Sequence, residues 1–297
     1  MTPPNLLGFG TLSIPDFVET ACAMEVMSPK PGNVAPGFRF ADASVDDFLK
    51  SARAIAPIIG TADQRTLGET ILRAVKATRS VVNQNTNLGI ILLLTPLAAV
   101  PGDESLQDGV VGLLKLTTVI DSQLTYEAIR IAQPSGLGQA TEQDLNQEPT
   151  LPLLECMTLA ADRDMIAAQY ANGFQDVLTT GLYLLRECIA TVESQPQQIS
   201  MLAVRLLATF GDSLIARKCG DQMSNTVREK ARQLLDSGWP MRHDTQRHFA
   251  ELDAFLRADG NRRNPGTTAD LVAAILFAAL RNGLLTPDGD WFERKSV

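Results

Sequence analysis

Four short stretches of the chain combine carboxylates, cations, amides and glycines at spacings suited to chemistry on an anionic substrate. The first is Glu25-Val-Met-Ser-Pro-Lys30-Pro-Gly32-Asn33. Phe17, Ala21 and Glu25 follow at four-residue steps, which puts Glu25 on the apolar, core-facing stripe of a helix. A carboxylate there is costly unless it finds a metal, a cation or a proton. The turn that follows is stiffened by Pro29 and Pro31; it fixes Lys30, and Gly32 permits close approach of the backbone to a ligand. The same residues also fit a buried glutamate capping its own turn beside an exposed lysine.

The second stretch, Asn85-Thr86-Asn87-Leu88-Gly89, opens a very apolar helix. Asparagine is a common N-cap, but two amides flanking a threonine, with a small glycine one step inside, also suit a phosphate or a ribose. In the third, Gly211-Asp212-Ser213-Leu214-Ile215-Ala216-Arg217-Lys218, an aspartate breaks a hydrophobic helix and paired cations follow one to two turns on. A functional role and the plain reading, a capping aspartate with a solvated basic pair, stand about even here. The fourth, Arg262-Arg263-Asn264-Pro265-Gly266-Thr267-Thr268-Ala269-Asp270, gives Thr267 and Asp270 the spacing of a capping box. A glycine turn, a helix start and two arginines also make an anion site. Asp270 enters a helix that is apolar all round, so it is expected to be buried. A weaker fifth stretch, Asp162-Arg163-Asp164, reads as a surface salt-bridge cluster unless a helix breaks at Asp164, because carboxylates two apart on a helix point apart.

Several common chemistries are excluded. Gly32 and Gly37 have phosphate-loop spacing, but Phe38-Arg39 follows instead of Lys-Ser/Thr. Gly8-x-Gly10 lacks the third glycine of a dinucleotide turn, and there is no G-x-S-x-G elbow. His243 and His248 are five apart, not the four that would aim both rings from one helix face at a zinc ion.

The elements that must position these residues are helices. Aromatic residues make up only 5% of the 297, and Leu, Ala and Ile dominate, which disfavours a β-sandwich. Five capping boxes are expected, at Ser13–Asp16, Ser44–Asp47, Thr66–Glu69, Ser105–Asp108 and Thr267–Asp270. Leu67, Ile71, Val75, Thr78 and Val82 keep helical rhythm, while residues 199–210 and 268–283 are apolar nearly all round, as central helices are. No period-two segment with hairpin turns is present. The expectation is an all-α fold, a single large multi-helix domain over residues 1–297. Long connections fall at 29–43, at 133–150 (a lid or a surface loop) and at 258–267, and the role of the polar tail from Thr286 is unreadable.

A net charge of −8 argues against a nucleic-acid partner. Cys22, Cys156, Cys188 and Cys219 are scattered, as buried thiols in a reducing compartment are. The N-terminus lacks signal-peptide order, and the most apolar run, 88–100, contains Pro96 and is too short to span a bilayer. A cytoplasmic location without a membrane partner is expected.

Taken in order, the motifs resemble the triphosphoribosyl-dephospho-CoA synthase family: Glu25 with Pro29-Lys30-Pro31-Gly32-Asn33, Asn85-Thr86-Asn87-Leu88-Gly89, Asp212-Ser213-Leu214-Ile215-Ala216-Arg217-Lys218, and Asn264-Pro265-Gly266-Thr267-Thr268-Ala269-Asp270-Leu271. The citrate-lyase-associated members read N-T-H-K-G at the second motif and D-T at the third, so this chain looks like a separate branch, some of whose members are linked to pterin-type cofactor pathways. The resemblance implies an all-α transferase. Its substrates would be ATP and 3′-dephospho-CoA, with the triphosphoribosyl unit passing to the 2′-hydroxyl and adenine leaving. It further implies Mg²⁺ on the triphosphate, with Asp212 and Asp270 as its ligands. Lys30, Arg217, Lys218 and the helix start at Asn264, Gly266 and Thr267 would hold the phosphates. Glu25 would be the base, with Asp212 and Asp270 as further catalytic carboxylates. Asn33 and Asn87 would orient ribose or base, and Gly32, Asn85 and Gly89 would line the substrate. A pterin-type acceptor, a Mg²⁺-dependent nucleosidase with water as acceptor, and a nucleotide-binding protein without turnover are the alternatives.

Overall fold

Helices start where the chain supplies acceptors for their first N–H groups. Asp16 and Asp47 accept from the backbone N–H of Ser13 and Ser44 at 2.7 and 2.9 Å, opening α1 (Ile14–Met27) and α2 (Val45–Ile59). Thr66 caps α3 (Leu67–Val81), and α4 (Leu88–Ala99) follows Asn87. Ser105 caps α5 (Leu106–Lys115), and Thr118 with Asp121 boxes α6 (Val119–Ala132). After the long connection come α7 (Leu153–Ala160), α8 (Met165–Asn172), a π-helical turn at Asp176–Gly181, α9 (Leu182–Thr191) and α10 (Gln195–Phe210). The chain closes with α11 (Ser213–Cys219), α12 (Asp221–Asp236), α13 (Gln246–Arg257) and α14 (Gly266–Arg281). This computed structural model describes residues 12–40, 43–136, 138–289 and 291–292. Among them there is no strand, only an isolated bridge between Ala35 and Phe38, so the all-α expectation holds. Gly8 and Gly10 lie outside the described residues.

The fifth expected capping box does not form. Helix α14 starts at Gly266, so Thr267 already lies inside its first turn and Asp270 sits a turn further in. The turn at Asn264-Pro265 starts the helix earlier than the Thr–Asp spacing suggested, which releases Asp270 from capping.

Helix α14 is the central strut. Every residue from Leu271 to Leu280 is buried, and the helix packs against α1, α4 and α10. Helix α4 is its apolar partner, buried continuously from Ile90 to Val100. Such all-round apolar helices belong at the centre of a bundle, and one contiguous core joins them to the outer elements. The tail packs back at Trp291 and Phe292: Trp291 is 2% exposed, and the Arg53 guanidinium lies 4.6 Å from the centre of the Phe292 ring. No single helix among the described residues is long and apolar enough to cross a membrane.

Candidate active site

A cavity of about 1010 Å³ opens where the C-terminal end of α1 meets the N-terminal ends of α4, α8, α11 and α14. Glu25, Asn33, Asn85, Asn87 and Gly89 line it. Arg217, Lys218, Asn264, Gly266, Thr267 and Asp270 line it too. The four sequence motifs, far apart in the chain, therefore converge on one space. Lys30, Gly32 and Asp212 do not line it.

Each of those three has a visible structural task. Lys30 is 2% exposed; its ammonium folds back 3.0 Å from the Glu25 carboxylate and donates to the carbonyls of Ser28, at 2.9 Å, and of Glu25. With its donors directed into its own turn it reaches no phosphate in this arrangement, contrary to the expectation. Gly32 serves packing and not a ligand: its φ is +76°, a Cβ there would lie 2.6 Å from that of Leu256, and its N–H donates to Asp253 at 2.7 Å. Asp212, 1% exposed, accepts four hydrogen bonds. One oxygen takes the N–H groups of Leu214 and Ile215 at 2.9 and 3.0 Å; the other takes the N–H and hydroxyl of Thr268, each at 2.8 Å. It thus caps α11 and clamps it to α14, and no lone pair is left for a metal. Burial raises its carboxyl above the usual range, with the four donors pulling the other way.

Asp270 is its opposite. It faces the cavity half-buried, where full burial was expected, because the cavity opens beside the first turn of α14; no donor among the described residues reaches its carboxylate. Burial pushes its pKa well up, and the negative charges of Glu25, Asp212 and Asp164 push it further, with Arg217 opposing. Gly89 makes room for it: a Cβ at Gly89 would stand 2.1 Å from an Asp270 oxygen. The glycine that the sequence suggested for ligand approach thus accommodates a carboxylate across the site. Glu25, 4% exposed, is also raised by burial, with Lys30 pulling it back.

The amides are held differently. Asn87 accepts from Thr78 Oγ at 3.0 Å, while its buried Nδ2 has no partner and remains a donor for a ligand. Asn33 Nδ2 donates to the Pro265 carbonyl at 3.2 Å, and Asn85 accepts from Leu88 N–H at 3.1 Å, as an N-terminal cap does. Lys218 donates to Asn264 at 3.0 Å.

Two contributors escaped the reading of the motifs. The chain breaks between α7 and α8, so Asp164 turns inward to the cavity and pairs with Arg217, whereas Asp162 stays exposed. The break was the stated condition for a role at Asp164, but nothing local in the sequence announces it. The described part of the connection at 133–150 is largely exposed yet borders the cavity along much of its length. Tyr126 donates to the Gln143 carbonyl at 2.7 Å, and Gly136 packs against Arg217 and Lys218.

Among the described residues no group of three or more His, Cys, Asp or Glu side chains could hold a metal ion. A lone, unpartnered Asp270 fits Mg²⁺ as that ion usually binds, through one or two carboxylates with substrate phosphates completing its shell; Asp212 does not fit.

Comparison with curated proteins gives no significant match. The crystal structure of a candidate triphosphoribosyl-dephospho-CoA synthase from Archaeoglobus fulgidus is similar at a TM-score of 0.63 and 28% identity, over 79% of this chain and 99% of that one. The model of the family described as ATP:dephospho-CoA triphosphoribosyl transferase matches residues 11–287. The chain belongs to that family and is an ATP-dependent triphosphoribosyl transferase.

Proposed function

We propose that the acceptor is the 2′-hydroxyl of 3′-dephospho-CoA and that the cavity holds it together with ATP. The observation that carries this reading is the convergence of Glu25 and Asp270 with Arg217 and Lys218 on one cavity, in a chain of the ATP:dephospho-CoA triphosphoribosyl transferase family. At about 1010 Å³ the cavity lies at the upper end of what a single ligand occupies, which favours two substrates side by side.

The reaction breaks the bond between the ribose anomeric carbon of ATP and adenine, which leaves with the bonding pair and gains a proton, and joins that carbon to the acceptor oxygen, which loses one. Glu25 takes the acceptor hydroxyl proton; its raised pKa suits a base, and Lys30 keeps the carboxylate in place. The unpartnered amide of Asn87 donates to the ribose or the departing base. Arg217, Lys218 and the start of α14 neutralise the phosphates. Asp270 would hold Mg²⁺, which when bound offsets the charge of the triphosphate. The connection at 133–150 covers the substrates and keeps water from competing as acceptor.

The test is adenine release, followed by chromatography with ATP and Mg²⁺, with and without 3′-dephospho-CoA. Adenine that appears only with the acceptor, alongside a product heavier by the triphosphoribosyl unit, is the expected result. Adenine without acceptor would make the protein a nucleosidase and overturn the proposal. Adenine only with a pterin precursor would keep the donor chemistry and replace the acceptor. A Glu25→Gln protein should lose roughly 10²–10⁴-fold in rate; a loss below tenfold would remove Glu25 as base.

A further inference from the structure

We infer that Asp164 is a positioning residue for the ATP triphosphate, acting through Arg217. The inference rests on the reading of the cavity as the ATP site.

The two oxygens of Asp164 do different work. Oδ1 accepts the N–H groups of Ile166 and Ala167 at 2.8 and 3.2 Å, which anchors the carboxylate to the start of α8. Oδ2 receives an Nη1 hydrogen bond from Arg217 on α11. Helices α8 and α11 are tied a second time, at their starts, because Met165 N–H donates to Ser213 Oγ at 3.2 Å. Asp164 is therefore a fixed point, not a flexible surface acid, and both members of the pair line the cavity with side chains 26% and 22% exposed.

The fork of Arg217 shows what the anchoring serves. A guanidinium carries five N–H donors in one plane, so holding one edge aims the others. Arg217 Nε is buried and has no acceptor among the described residues. A buried donor left without an acceptor is costly, and an acceptor supplied by the ligand removes that cost. The natural acceptor in this cavity is a phosphate oxygen, which pairs with the fork in a planar fashion that a lysine ammonium cannot reproduce. Without Asp164 the long side chain would be free to swing away from the cavity.

Charge and positioning predict opposite signs. Removing an anion from a cavity that binds a polyphosphate would, by charge alone, tighten binding. If Asp164 acts by holding Arg217, its removal weakens binding instead.

The test is isothermal titration of ATP·Mg²⁺ and, separately, adenosine into the whole protein without acceptor. It compares wild type with Asp164→Asn, Arg217→Lys and the double variant. Asparagine caps a helix as well as aspartate does, so α8 keeps its start and the melting temperature serves as control. The expected result is an approximately tenfold weakening of ATP in each single variant, no further loss in the double variant, and unchanged adenosine affinity. Tighter or unchanged ATP binding in Asp164→Asn would overturn the inference, as would equal loss for adenosine or additive losses in the double variant. Should Asp164→Asn fail to fold, Arg217→Lys reads the same interaction from its other side, with retained ATP affinity counting against the inference. Wild-type protein that binds no ATP would instead remove the ATP reading beneath it.

Discussion

Replacing Asp212 and Asp270 in turn by asparagine separates two carboxylates that look equivalent in the sequence. At Asp212 the amide oxygen can keep the N–H groups of Leu214 and Ile215, but the NH₂ group would then face the N–H and hydroxyl of Thr268. Two buried hydrogen bonds to a charged acceptor are lost and donors oppose one another, a cost of roughly 3–5 kcal/mol. At about 2–3 °C per kcal/mol for a chain of this size, the melting temperature should fall by roughly 6–15 °C. At Asp270 the sign reverses. Its pKa is raised in the folded protein, so the fold binds that proton more tightly than the unfolded chain does. Stability therefore falls as pH rises through the window between the unfolded and folded pKa values, and above it the ionised carboxylate is a standing cost that a neutral amide removes. Asp270→Asn should melt no lower than wild type at pH 8, yet lose Mg²⁺-dependent ATP affinity and turnover. Calorimetric melting with ATP titration at fixed Mg²⁺ reads both effects. Asp212→Asn that melts like wild type but loses Mg²⁺ dependence would return Asp212 to the metal, and Asp270→Asn that melts well below wild type would refute the unpartnered carboxylate.

Three further outcomes test the same geometry. Gly89→Ala would force a Cβ to within 2.1 Å of an Asp270 oxygen, so turnover should fall at least tenfold while helical circular dichroism is retained. Gly32→Ala places a Cβ 2.6 Å from that of Leu256 at positive φ, which should cost about 1–3 kcal/mol in denaturant unfolding and leave the ATP affinity of the folded protein unchanged. Lys30→Met strips the cation that pulls Glu25 back down, so the Glu25 pKa rises further. Because the base must be ionised, the acid-side rise in kcat/KM should move to higher pH, as a pH–rate profile would show.

Much of the fold was legible because helix starts are written locally. Four of the five expected boxes and caps formed, each needing only residues three apart in the chain. The fifth shows the limit of such spacing: Thr267 and Asp270 match the pattern, but the preceding turn starts α14 at Gly266. The motifs located the cavity well because the residues that build it come in short runs. Their individual tasks were harder to read, since each depends on a distant partner. Asp212 is committed by Thr268, 56 residues away; Asp164 by Arg217, 53 away; Gly32 by Asp253 and Leu256 on α13. Lys30 misled for the converse reason. A lysine in a proline-rich turn looks presented to solvent or ligand, but its chain is long enough to return to Glu25.

The fold uses buried aspartates as clamps more than once, which sharpens the case for Asp270. Asp121 is 3% exposed; it boxes its own helix at Thr118 and takes the Gly68 N–H of α3 at 2.9 Å, the same arrangement by which Asp212 joins α11 to α14. A buried carboxylate surrounded by N–H donors is accounted for by architecture alone. Asp270 has no donor among the described residues, three carboxylates raising its pKa and a glycine opposite that leaves it room. It is also carried by the most deeply buried helix, so the surroundings cannot easily relax to relieve it. A half-buried carboxylate with a raised pKa, held at the cavity on a rigid element, is placed to meet a cation arriving with its substrate. A carboxylate at the cavity that receives no donor from the described residues, more than any motif, is therefore where we propose that the metal binds.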